Sequence, residues 1–243
     1  MTPPLFLLEK IPATGDDLLL AGDEGHHAAR VVRVGVGEQV LISDGAGVLL
    51  RCTVQRVSGG DVHLRIDERT RAPEPTPRLV AVQALPKGER AELAVEMMTE
   101  LGVDEIVPWE ASRSVTRWAG ARGDKALARW RRTARTAAKQ CRRPRIPTVA
   151  DLASTKDVCR LLSGGTGLVL HEDAPARLAS AALPADADVV LVIGPEGGVA
   201  PDELDAFAAA GAVPVLLGES VLRTSTAGAA ALAVLSLRLG RWG

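Results

Sequence analysis

Hydrophobic and polar positions alternate near period two in three stretches of the first third of the chain, residues 38–43, 48–57 and 61–67. That period puts successive side chains on opposite faces of a pleated backbone, so each stretch predicts a strand with one buried face. Gly45-Ala46-Gly47 and Ser58-Gly59-Gly60 supply the turns between them. Upstream, residues 23–33 fit a short helix with His26, Arg30 and Arg33 on one side. The segment from Arg71 to Arg78 then carries prolines at positions 73, 75 and 77. Such a run suits neither helix nor ladder and predicts a boundary between residues 1–73 and 74–243.

Beyond the boundary, strand-like and helix-like segments alternate. Strands are expected at 79–85, 105–108, 167–171, 188–193 and 213–217, and helices at 89–101, 124–141, 201–210 and 224–239. This order predicts an α/β domain with a mostly parallel sheet covered by helices. The run Val189-Val-Leu-Val-Ile193 contains no polar residue, as a central strand buried on both faces requires. Pro201-Asp202-Glu203 places proline and two acids in a first helical turn, where the helix dipole favours them.

Composition narrows the function classes. With 243 residues, 47% hydrophobic and 24% charged, the chain is an ordinary globular one. Its apolar runs are about five residues long, where a membrane span needs roughly twenty. The N-terminus lacks the basic start and apolar centre of a signal peptide. Cys52, Cys141 and Cys159 are widely spaced, which argues against a disulfide framework or a metal site and fits a cytoplasmic protein.

The net charge of −1 conceals a strong segregation. Residues 112–145 hold 12 basic side chains and one acidic, Asp124, whereas 74–111 hold 3 and 8 and 146–220 hold 3 and 11. Such a block fits either a nucleic-acid footprint or a solvated helix face paired with the acidic stretches. Within it, Lys125, Arg129, Arg132, Arg135 and Lys139 form one helical stripe, beside an apolar stripe of Leu127, Trp130, Ala134, Ala137, Ala138 and Cys141. Glu89, Glu92, Glu96 and Glu100 form a complementary acidic stripe on the helix before. Arg113, Arg117, Arg122, Arg142, Arg143 and Arg145 extend the positive charge beyond what four glutamates balance, which favours RNA.

Two loops are candidates for chemistry. Gly194-Pro-Glu-Gly-Gly198 follows the buried strand and precedes a helix, at the strand end where open α/β sheets bind ligands. It is neither a P-loop nor a dinucleotide fingerprint, and a plain turn remains open. Residues 217–228 also join a strand to a helix, with Arg223 beside apolar Val221 and Leu222, and with Thr224 or Ser225 available as helix caps.

The motifs Ile193-Gly-Pro-Glu-Gly-Gly198 and Leu217-Gly-(x)3-Leu-Arg-Thr-x-Thr-Ala227 resemble the cofactor loops of the RsmE family, 16S ribosomal RNA uridine-N3 methyltransferases of the SPOUT superfamily. Further matches are His26-His27-(x)2-Arg30-Val-(x)-Arg33, Asp44-Gly45, Lys87-Gly88, Glu100-Leu-Gly-Val103, Arg113-Ser-Val115 and Ala138-Lys-Gln-Cys-(x)-Arg143, in order over nearly the whole chain. Ser225 departs from the pattern, standing where the family carries Glu. The resemblance implies a PUA-like β-barrel that holds RNA, a SPOUT α/β domain with a trefoil knot, S-adenosylmethionine as cofactor, and a homodimer acting on 16S rRNA of the small subunit. It places Leu170, Gly194, Gly198, Leu217, Gly218, Val221 and Leu222 at the cofactor. For the chemistry, Arg223 or Arg113 is expected to stabilise a uracil anion, with Glu196 as a base or else as an N-terminal partner of helix 201–210. RNA contacts are expected from His26, His27, Arg30, Arg33, Arg129, Arg132, Arg142 and Arg143. Two alternatives are methylation of another RNA position, such as a ribose 2′-hydroxyl, and a non-catalytic RNA-binding assembly factor.

Overall fold

A computed structural model of the chain describes residues 2–88, 90–183 and 186–242. Glu89, the first residue of the expected acidic stripe, lies outside the described residues. The chain divides into two compact units, Met1–Glu74 with Ala138–Ile146, and Pro75–Ala137 with Pro147–Gly243.

The first unit is built on five strands: β1 (Leu5–Leu7), β2 (Asp17–Leu20), β3 (Gln39–Ser43), β4 (Val48–Ser58) and β5 (Asp61–Arg71). They form one sheet in the order β1-β3-β4-β5-β2, antiparallel except for β1 beside β3. Phe6, Leu20, Ile42, Leu50, Val62 and Leu64 fill its core. The short strands β1 and β2 escape a periodicity reading because three or four residues hardly complete a cycle. The expected helix 23–33 is found at residues 22–32, but it is not regular α-helix throughout. A turn of α-helix, α1 (Gly22–His26), widens into a π-helical turn at His27–Val32, and Arg33 is left-handed with φ 61°.

Ala138–Ile146 packs with this unit, although the sequence pattern groups it with the later residues. The Lys139 ammonium contacts both carboxylate oxygens of Glu24, at 2.6 and 2.9 Å, and both side chains are about four-fifths buried. The Ser43 hydroxyl donates to the Pro144 carbonyl at 2.9 Å, and the Arg145 guanidinium donates to the carbonyls of Ala72 and Pro73. These partners lie 72–115 residues apart in the chain, so no local pattern announces them.

The second unit contains β6 (Leu79–Ala84), α2 (Arg90–Glu100), β7 (Glu105–Trp109), α3 (Gly120–Gln140, whose last turn groups with the first unit), β8 (Thr148–Val149), α4 (Thr155–Ser163), β9 (Thr166–Leu170), β10 (Ala176–Arg177), β11 (Val189–Ile193), α5 (Pro201–Ala209), β12 (Val213–Leu216) and α6 (Thr224–Arg238). Its seven strands are all parallel, in the order β10-β12-β9-β11-β6-β7-β8. As its composition requires, β11 is buried at every position, between β9 and β6. One face of the sheet packs on Met98, Trp130, Leu232 and Leu235 from α2, α3 and α6; the other packs on Val158, Leu162 and Phe207 from α4 and α5. Ala231 and Leu235 are core residues, whereas Ala230 and Val234 are half-buried and Leu237 is exposed. The helix α4 carries a start signal in its sequence: Ser154 and Asp157 bond reciprocally as a capping box. The Ser154 hydroxyl and backbone N–H hold the Asp157 carboxyl below its ordinary range, with Arg160 adding to the effect.

The sheet is tight enough to demand glycine at position 167. A Cβ there would lie 2.6 Å from Leu162 Cδ2 and 2.8 Å from Ala212 Cβ. Gly167→Ala is expected to destabilise the protein by about 1–3 kcal/mol through overpacking. In urea, the unfolding midpoint should fall with little change in m.

Candidate active site

Strands β9, β11 and β12 end at the same edge of the parallel sheet, and the segments that leave them bound an open cleft of about 760 Å³. Its walls are residues 170–173, 193–199 and 216–224, with Arg113 and Ala227. This carboxyl edge is where parallel α/β sheets present ligand sites, because the loops diverge there.

The loop after β11 is shaped by its glycines. A Cβ on Gly194 would come within 2.9 Å of Val199 Cγ2, and Gly198 is left-handed at φ 72°. Arg113 reaches in from the loop after β7 and donates to the Gly197 carbonyl at 3.1 Å. The exposed Glu196 carboxylate accepts the Lys87 backbone N–H at 3.1 Å, so it ties this loop to the one after β6. The N-terminal partner of α5 is a different acid. Buried Glu203 accepts the N–H groups of Ala200 and Ser112 and the Thr155 hydroxyl, at 3.2, 2.8 and 3.1 Å.

The second loop, after β12, is apolar and open. Val221 is 77% exposed and Leu222 38%, both on the cleft wall. A Cβ on Gly218 would meet nothing within 4 Å, so the space beside its backbone is open. Arg223 is the N-cap of α6 and gives it no side-chain hydrogen bond. Neither Thr224 nor Ser225 takes the capping role left open by the sequence. The Thr224 hydroxyl instead donates to the Gly194 carbonyl at 2.6 Å and accepts from Gln83 Nε2 at 3.0 Å. Ser225 is buried in the first turn of α6.

Leu170, Gly194, Gly198, Leu217, Gly218, Val221 and Leu222 all line this one cleft, together with Arg113, Glu196 and Arg223. Residues that the sequence did not single out line it too: His171, Glu172 and Asp173 after β9, and Glu219 after β12. Their only sequence signal is position, at or shortly after the end of a predicted strand.

The residues expected to hold RNA are distributed over both units. His26, His27, Arg30, Arg33, Arg142 and Arg143 belong to the first, Arg129 and Arg132 to the second. His27 packs edge-on against Phe6, with ring centroids 5.8 Å apart. Arg30 donates to the Gly59 carbonyl at 2.8 Å, and left-handed Arg142 to the Thr2 carbonyl at 3.2 Å. Arg129 pairs with Glu92 at 3.1 Å, as the acidic stripe on α2 suggested, while Arg132 is exposed.

The two glutamates are separable by stability. Glu203→Ala strands two backbone N–H groups and should cost at least about 2 kcal/mol, given roughly 1.5–3 kcal/mol for a hydrogen bond to a charged group. Glu196→Ala, at an exposed carboxylate, should change stability by no more than about 0.5 kcal/mol. Denaturant titrations of the two variants measure the difference.

Comparison with known proteins gives a consistent set of likenesses. A model of the RNA methyltransferase domain matches residues 72–236, and a model of the RNA methyltransferase PUA domain matches residues 20–67. The chain is 46% identical over 247 aligned positions to the ribosomal RNA small subunit methyltransferase E of Mycobacterium bovis, with 100% of this chain and 94% of that protein covered. It is 30% identical over 226 positions to the protein of the same name in Bacillus subtilis, covering 89% and 88%. The crystal structure of a ribosomal RNA small subunit methyltransferase E from Neisseria gonorrhoeae bound to S-adenosyl methionine matches with a TM-score of 0.85 at 25% identity, covering 98% of each chain.

Proposed function

The chain belongs to the ribosomal RNA small subunit methyltransferase E family, and we propose that it methylates N3 of a uridine in 16S rRNA. It is an S-adenosylmethionine-dependent methyltransferase of small-subunit ribosomal RNA, with a PUA-like N-terminal domain and a parallel α/β domain. The observation that carries the reading of the site is the convergence of both glycine-containing loops on one cleft.

The cleft suits this methyl donor by its own chemistry. Exposed Val221 and Leu222 with Leu170 and Leu217 offer an apolar wall for an adenine ring, and Gly218 leaves room for backbone approach. Glu172, Asp173, Glu196 and Glu219 outnumber Arg113 and Arg223 along the lining. That excess of negative charge suits a sulfonium and an ammonium and disfavours a chain of phosphates. We assign Leu170, Gly194, Gly198, Leu217, Gly218, Val221 and Leu222 to the donor.

Bound S-adenosylmethionine supplies an electrophilic methyl group. The protein's task is to orient the uracil and manage the N3 proton, so positioning dominates. In our reading Glu196 accepts that proton, and the guanidinium of Arg223 or Arg113 stabilises the negative charge spread onto O2 and O4. Ser225 supplies no carboxylate for this purpose, and Glu196 is the acid of the 194–198 loop. Residues 1–73 form the RNA-holding domain, as a PUA-like barrel, and 74–243 the catalytic domain. His26, His27, Arg30, Arg33, Arg129, Arg132, Arg142 and Arg143 contact the RNA in this reading, whose place of work is the cytoplasm.

Two features of architecture belong to the same proposal. The segment after β12 starts α6 against the Gly194 carbonyl and Gln83, at the ends of β11 and β6, although β9 separates β12 from both. A return of this kind supports a trefoil knot, a rare exception to chain topology. Ala230, Val234 and Leu237, spaced for one helical face and incompletely buried, support a homodimer.

Methyl-labelled S-adenosylmethionine, offered with 16S rRNA and small subunits from cells lacking this protein, tests the reading. Label in 3-methyluridine is expected; label in a ribose 2′-methylated nucleoside would move the target, and no label with folded, RNA-binding protein would favour an assembly factor. Arg223→Ala and Arg113→Ala should each lower kcat by about 100-fold if they stabilise the anion. Glu196→Gln should flatten the acid limb of the pH–rate profile. RNA affinity should fall with salt, with a log–log slope of roughly −4 for six phosphates of a single strand.

A further inference from the structure

Gln83 is the polar exception in β6, Leu-Val-Ala-Val-Gln-Ala, a strand buried at all six positions. The packing of a central parallel strand calls for an apolar residue there, and a buried amide is costly unless its groups are bonded. Both N–H groups of Gln83 are used: Nε2 lies 3.0 Å from the Ala84 carbonyl and 3.0 Å from Thr224 Oγ1. Its Oε1 is buried without a partner. The fold thus retains an amide that its own packing does not need, at the cost of one unpaired acceptor.

The direction of the bonds gives the reason. Because Thr224 Oγ1 accepts from Gln83, its proton is free to go to the Gly194 carbonyl, 2.6 Å away. The relay runs from Gln83 through Thr224 to Gly194 and joins three elements: β6, the loop after β11, and the first turn of α6. Gly194 and Thr224 line the cleft, as does Arg223 beside Thr224, whereas Gln83 does not. Gln83 therefore acts on the cleft through the threonine.

We propose that Gln83 is a positioning residue for methyl transfer: through Thr224 it fixes the spacing of the two loops that receive the methyl donor and the aim of Arg223. This inference rests on the methyltransferase reading above. A single hydroxyl holding both loops makes their separation one coupled quantity, since linked buried hydrogen bonds act as a unit.

The test uses full-length protein and four variants: Gln83→Leu, Thr224→Val, Thr224→Ser and the double variant Gln83→Leu/Thr224→Val. S-adenosylmethionine affinity is measured by calorimetry, kinetics with small-subunit RNA, and stability by thermal melting. Gln83→Leu and Thr224→Val should each weaken S-adenosylmethionine about tenfold, the equivalent of about one hydrogen bond. The KM for RNA should hold. The double variant should be no worse than either single one, and Thr224→Ser should recover most of the affinity lost in Thr224→Val. Gln83→Leu removes the unpaired acceptor and should melt no lower than wild type, a result that a merely structural role does not produce.

Wild-type affinity in Gln83→Leu, or losses that multiply in the double variant, would overturn the proposal. If Gln83→Leu does not fold, equal affinities of Thr224→Val and Thr224→Ser overturn it, and a recovery in the serine variant sustains it. Wild-type protein that binds no S-adenosylmethionine would overturn the functional reading itself, an outcome distinct from variants that match a binding wild type.

Discussion

The seat of α6 on the parallel sheet is the contact on which the cleft depends. Gly228, in the second turn of α6, faces Met98, Ile193 and Gln83; a Cβ there would come within 3.0 Å of the Met98 sulfur and 3.4 Å of Ile193 Cγ1. That close approach brings Thr224 within hydrogen-bond reach of the Gly194 carbonyl. The segment between β12 and α6 must then cross to reach this seat. Its apolar residues Val221 and Leu222 remain on the cleft wall and not in the core. Packing in the core and openness at the site are thus two consequences of one helix position.

Polar groups buried around this seat divide the labour. Glu203 is surrounded by donors and secures the start of α5 to the loop before α3 and to the first residue of α4. Gln83 is less fully satisfied and serves the cleft. Such a difference is expected where stability and function pull apart, because an apolar residue would serve the core better than an amide with an unpaired oxygen.

Electrostatics are organised by segment, not by the whole chain. The basic block around α3 meets acids at separate places: Arg129 at Glu92, Arg131 at Asp151, and Lys139 at Glu24. The exposed pairs of Arg129 and Arg131 contribute little to stability, roughly 0–1 kcal/mol each, whereas the Lys139–Glu24 pair is mostly buried. Their main consequence is to leave other cations of the block, such as Arg132, available to a polyanion. The cleft has the opposite character, acidic and apolar.

Local sequence determined the elements whose patterns run long enough to be read: β4 and β5 by alternation, β11 by unbroken apolarity, α3 by its paired stripes, and the two glycine loops by their place after strands. It also held signals that were easy to pass over, such as the Ser154–Asp157 capping box of α4. Other features are absent from any local window. The strand β1 is only three residues long, and Ala138–Ile146 joins the first unit through partners 72 or more residues away. The cleft-lining residues after β9 and the relay from Gln83 to Gly194 exist only once distant strands stand side by side. Periodicity reports which face of an element is buried; which distant residue meets that face is decided by packing, and only the tertiary structure contains it.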